Sequence, residues 1–182
     1  MPVSSPLSLA IGSLLDSVIL LLLQREDNAH LVAWSLFSLA LLTRSSPGLT
    51  KTLGEVNIPR ALVRCMVRFP KDDTIQLGCC DLAMAMTDPV PRQLAEDAAY
   101  RLKRAGALVG FANAIKLSFE SRHIKLRLRC AEVLEVIIRN LAQRTTFRRA
   151  TPRVFTLLQM VRNDARVSSR VLSDLRDEMN AF

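Results

Sequence analysis

The residues able to do chemistry are few, and their spacing limits what they can do. Glu132 and Glu135 fall one helical turn apart, as do Glu96 and Tyr100. Polar pairs at that spacing can act as general acid and base, but on a solvated helix they are ordinary surface groups. The two histidines, His30 and His123, stand far apart, and neither has a neighbour at metal-ligand spacing. Cys65, Cys79, Cys80 and Cys130 form no Cys-x-x-Cys pair and lie in or beside apolar runs. A thiol there is a small hydrophobe, so neither a disulfide framework nor a zinc site is expected, and a reducing compartment fits best. The chain carries no glycine-rich phosphate loop and no Gly-x-Ser-x-Gly turn. The expectation is a protein without catalysis, metal or cofactor.

Recognition chemistry is better represented. Arg122, Lys125, Arg129, Glu132, Arg139 and Gln143 share one helical stripe beside an apolar one. Arg166, Ser169, Arg170, Ser173 and Arg176 form a comparable stripe near the C-terminus. If both helices line one groove, the stripes lie side by side. Arg122, Lys125, Arg129, Arg139, Arg166 and Arg170 would then bind an acidic peptide or protein surface, since a guanidinium fork suits carboxylates and phosphates. A second cluster, Arg144, Arg148, Arg149 and Arg153, surrounds Thr145-Thr146-Phe147 and offers nucleic-acid binding through backbone phosphates as the alternative. Scarce aromatics leave little for base stacking.

The elements that hold these groups read as helices throughout. Of the 182 residues, 49% are hydrophobic and only 5% aromatic, which favours helix over strand and excludes a disordered chain. The formal charge of +8 is uneven: residues 120–182 carry 13 Lys and Arg against 7 Asp and Glu, which points to an acidic partner. Leu7–Leu23 is strongly apolar, but it contains Asp16, follows no basic segment and is short for a membrane span. It reads as a buried helix. No linker divides the chain, so residues 1–182 form one expected domain of ten or eleven helices.

These helices recur with a period. The segments at Gly12, Asn57, Gly106 and Thr151 each place a turn-tolerant residue before an apolar helix start, at intervals of 45, 49 and 45 residues. After each comes a polar break and a helix whose inner stripe begins Leu31-Ser35, Ile75-Cys79, Leu126-Cys130 or Val167-Val171. The small residues Ser35, Cys79 and Cys130 would let neighbouring helices approach closely. Asn28, Asp72 or Asp73, and Ser121 are placed to cap helices, and Gly106 suits a left-handed turn.

Arg104-Ala105-Gly106-Ala107-Leu108-Val109 and Val56-Asn57-Ile58-Pro59-Arg60-Ala61-Leu62-Val63 resemble the turn into the second helix of an armadillo repeat. Ile75-Gln76 with Cys79 and Leu82 is similar to the start of that repeat's third helix. The resemblance runs from about Ile11 to Met179 and extends nearly as well to HEAT repeats. It implies an all-α solenoid of three to four armadillo/HEAT-like repeats, acting as a protein-binding scaffold or adaptor within a larger assembly. It implies a cytoplasmic home, with cytoskeletal or ciliary structures included. The family's nuclear-import branch uses a Trp/Asn ladder. Here the only Trp is Trp34, and Ser38 stands four residues on, so binding of basic import peptides is not expected.

Overall fold

In the computed structural model, residues 6–24, 27–88, 91–142, 151–163 and 167–181 are described, and among them every regular element is an α-helix. In chain order the ten helices are α1 (Pro6–Gln24), α2 (Ala29–Ser45), α3 (Leu49–Glu55), α4 (Ile58–Arg68), α5 (Asp73–Thr87), α6 (Arg92–Arg104), α7 (Ala107–Glu120), α8 (Ile124–Ala142), α9 (Thr151–Asn163) and α10 (Ser169–Ala181). The leucine-rich start of the chain is the helix α1. Its Leu15, Val18, Ile19 and Leu22 are buried against the rest of the fold, at the i, i+3, i+4, i+7 spacing of an inward stripe. Among the described residues no helix is long and apolar enough to cross a membrane.

Local chemistry sets the boundaries. Asn28 caps α2 by accepting from the Leu31 amide at 3.1 Å. Asp72 caps α5 by accepting from the Thr74 and Ile75 amides, both at 3.0 Å. Each side chain supplies an acceptor for a helix N–H that has no intrahelical partner. The turns α3–α4 and α6–α7 both pass through the left-handed region, at Asn57 (φ 62°) and Gly106 (φ 88°). A third left-handed residue, Arg122 (φ 58°), makes the turn from α7 to α8. His123 follows it and accepts from the Leu126 amide at Nδ1 (3.1 Å), so this histidine caps α8.

The helices meet their counterparts three places on. α5 lies between α2 and α8, α7 lies between α4 and α10, and α3 packs on α6. One cluster of buried side chains runs through all these contacts from Leu15 to Met179. α5 is the most enclosed element, with Ile75, Gln76, Gly78, Cys79, Cys80 and every residue from Leu82 to Thr87 buried. Close approach depends on small side chains. Ser35, Cys79 and Cys130, equivalent on α2, α5 and α8, are fully covered, and the Cys80 and Cys130 sulfurs lie 3.2 Å apart. Gln76, buried on α5, donates to the carbonyls of Met66 (3.0 Å) and Phe69 (2.9 Å) and so satisfies the end of α4. At the C-terminus α9 departs from this order and packs on α8, while α10 packs on α9 as well as on α7.

Candidate functional site

The outer surface of α2, α5 and α8 follows from the register of their inward residues. Counting from Ser35, Cys79 and Cys130, the residue two before is Ala33, Leu77 or Leu128, and the residue two after is Phe37, Asp81 or Glu132. All six are partly or well exposed, and Phe37 and Leu128 are each 38% exposed. By register they form two rows across the three helices, Ala33–Leu77–Leu128 and Phe37–Asp81–Glu132, so that large apolar side chains stand on the same outer face as charged ones. Lys125, on the first turn of α8, is exposed beside these rows.

The arginines that flank these rows are already engaged. Arg44 of α2 meets Asp81 at 3.3 Å, Arg129 of α8 meets the same Asp81 oxygen at 2.6 Å, and Arg129 also holds Glu132 at 2.7 Å. Partial burial alone would lower the proton affinity of Arg129. Its hydrogen bonds to Glu132 and Asp81 outweigh that and raise it. Farther along α8, Glu135 takes Arg139 at 2.6 Å and Arg162 of α9 at 2.5 Å. Two clusters of ion pairs result, one joining α2, α5 and α8 and the other joining α8 to α9, and in them Arg129 and Arg139 are matched by acids of the fold where the sequence reads as basic.

The other expected binding residues are dispersed. Arg122 is exposed in the α7–α8 turn, and Lys125 is exposed on α8. Arg170 is exposed on α10, whose neighbours are α7 and α9, so its stripe does not lie beside the α8 stripe. The reason is that α10 continues the line of α4 and α7, so that α9 is the helix packed on α8, where the sequence period places α10. Arg153 of the alternative cluster reaches Glu178 at 3.1 Å and Asp174 at 3.9 Å, which ties α9 to α10. Arg144, Arg148, Arg149 and Arg166 lie outside the described residues.

The groups able to do acid–base chemistry have structural partners. Glu96 pairs with Arg92 at 2.8 Å, and Glu132 and Glu135 hold the arginines named above. His123 faces Asp73 of α5 at 3.8 Å while it caps α8. The four cysteines are buried and none is in a disulfide. Burial, with neighbouring Cys65 and Cys80, raises the Cys79 thiol well above its ordinary value, and burial with the Cys130 contact does the same for Cys80. Both are protonated and unreactive at neutral pH. Among the described residues no group of three or more His, Cys, Asp or Glu is placed to hold a metal ion.

Two features were missed at the level of sequence. One is the apolar part of that outer face. The other is Trp34. Its equivalents are Gly78, which faces Leu36 and Phe37 of α2, and Arg129, which reaches back to Asp81 of α5. That position points at the preceding helix of the series. Among the described residues no helix stands on that side of α2 in the α2–α5–α8 series, and Trp34 is 52% exposed. In comparison with known proteins, no family model, no curated protein and no solved structure matches this chain.

Proposed function

We propose that the chain is an α-solenoid of three to four armadillo/HEAT-like repeats that works as a non-catalytic scaffold or adaptor in a larger assembly. A partner protein lies along the outer face of α2, α5 and α8. Three supports converge on the repeat reading: the interval of 45 to 49 residues, the packing of α2 on α5, α5 on α8, α3 on α6 and α4 on α7, each three places on, and the paired left-handed turns at Asn57 and Gly106. Four buried cysteines, none of them in a disulfide, favour a reducing compartment such as the cytosol.

The observation that carries the binding reading is the exposure of Phe37 and Leu128 and the partial exposure of Leu77, which stand at two adjoining register positions on the outer face of α2, α5 and α8, with Lys125 on the same side of α8. Partly exposed large apolar side chains beside an exposed cation suit a partner segment with apolar anchors and acidic flanks. Because Arg129 and Arg139 are held by carboxylates of the fold, Lys125 and Arg122 carry the attraction for acidic groups. Lys125→Glu and Phe37→Ala change exposed groups and leave the ion-pair clusters intact. In affinity capture with the full chain, each variant should recover roughly tenfold less of the partners bound by the wild type, with an unchanged helical circular dichroism spectrum. Recovery of the same partners in the same amounts by both variants would remove this face as the binding surface.

A further inference from the structure

A second recess lies away from that face, where the α3–α4 turn meets the α6–α7 turn. It has a volume of about 460 Å³ and is lined by Gly54, Asn57, Arg60, Arg101, Arg104 and Ala105. We propose that it binds a single phosphoryl group, held by Arg60, Arg101 and Arg104. The site is independent of the partner face described above.

Charge is the first reason. Three guanidiniums line the recess and no carboxylate does. This is the reverse of the α2–α5–α8 face, where Arg44, Arg129 and Arg139 each meet an acid of the fold. Glu55, one residue from Gly54, turns instead towards Lys51 at 3.9 Å. Placement is the second reason. Arg101 and Arg104 stand in the last turn of α6, where a cation is favoured by the helix dipole, and need no ligand to explain them. Arg60 stands in the first turn of α4, where the dipole disfavours a cation and favours an anion. Its position is explained if the charge it meets comes from outside.

The third reason is that the recess is partly preformed. Arg101 donates from Nη1 to the Gly54 carbonyl at 3.0 Å, across 47 residues of sequence. Gly54 permits this, because a Cβ there would meet Arg101 Cδ at 3.0 Å and Nε at 3.1 Å. The guanidinium is thereby laid over the α3 backbone with donors to spare. Asn57, in its left-handed turn, makes no capping hydrogen bond and adds a free carboxamide. A phosphoryl dianion offers several acceptor oxygens and up to two charges, which suits three forks better than one carboxylate does. No aromatic side chain lines the recess to stack on a base, so a nucleobase has nothing to hold it.

The test is an NMR titration of the isotope-labelled full chain with inorganic phosphate, against chloride at equal ionic strength. Saturable shifts are expected at the Arg60, Arg101 and Arg104 side chains and at the backbone of Gly54–Asn57. The double variant Arg60→Ala/Arg104→Ala, at exposed positions, should weaken phosphate binding at least tenfold. Lys125→Ala/Arg170→Ala should leave it unchanged. A short phosphoserine peptide and its unphosphorylated twin distinguish a phosphorylated side chain from free phosphate as the source. Shifts that fail to saturate, that spread evenly over all surface arginines, or that persist in the Arg60/Arg104 variant would overturn the proposal.

Discussion

At the scale of the residue, burial decides what the four cysteines are. Cys79, Cys80 and Cys130 are fully covered, and Cys65 is 2% exposed. Burial raises the Cys79 and Cys80 thiols, so they hold their protons in the fold and lose them more readily in the unfolded chain. The native state binds more protons once the pH passes the ordinary thiol value of about 8.5, so stability is intact below that pH and falls above it. The slope approaches about 1.4 kcal/mol per pH unit for each such thiol. Urea melts at pH 7.5 and at stepped alkaline pH would show this loss, and Cys79→Ser should flatten it. A thiol reagent at pH 7 should label no cysteine in the native chain and all four in denaturant. Rapid native labelling of Cys79 or Cys80 would contradict the packing of α5.

Between neighbouring elements, the tightest contact is that of α2 with α5, and it turns on one missing methyl group. A Cβ at Gly78 would stand 3.0 Å from Leu36 Cβ and 3.4 Å from Leu36 Cδ1. The first of these atoms is fixed by the backbone of α2 and cannot swing away. Gly78→Ala gains about 1 kcal/mol in helix propensity, but overpacking costs about 1–3 kcal/mol. Because Leu36 Cβ cannot give way, the cost prevails, and a net loss of up to about 2 kcal/mol is expected in a urea melt. A stabilised variant would show that the two helices do not approach this closely.

Much at this scale was legible in the chain. The recurring turn residues marked Asn57 and Gly106, the capping chemistry marked Asn28 and Asp72, and the i, i+4 stripes marked the buried sides of α2, α5 and α8. These are local signals, settled within one or two helical turns. The packing of α9 on α8 and of α10 on α7 was not legible, because it depends on which neighbour a helix chooses after it forms. The charge pattern of the proposed binding face was legible less completely. Glu132 and Glu135 stood within a turn of Arg129 and Arg139 and could have warned that the stripe was neutralised. Asp81, 48 residues before Arg129, could not. Arg60 lies 41 and 44 positions before Arg101 and Arg104, and only the stacking of the two turns brings the three together.

For the molecule as a whole, Asp81 is the joint where three helices share a single charge. Its Oδ1 oxygen receives Arg44 from one side and Arg129 from the other. Take away that one negative charge and the two cations, held within reach of a common point, repel each other across the seam. The defect is then a reversal of sign felt by three helices, larger than the removal of either bond. Such a fault is one that dissolved ions can mask. Asp81→Asn should therefore melt well below the wild type in dilute buffer and regain part of the difference as sodium chloride is added. A deficit independent of salt would mean that the carboxylate acts through its shape alone.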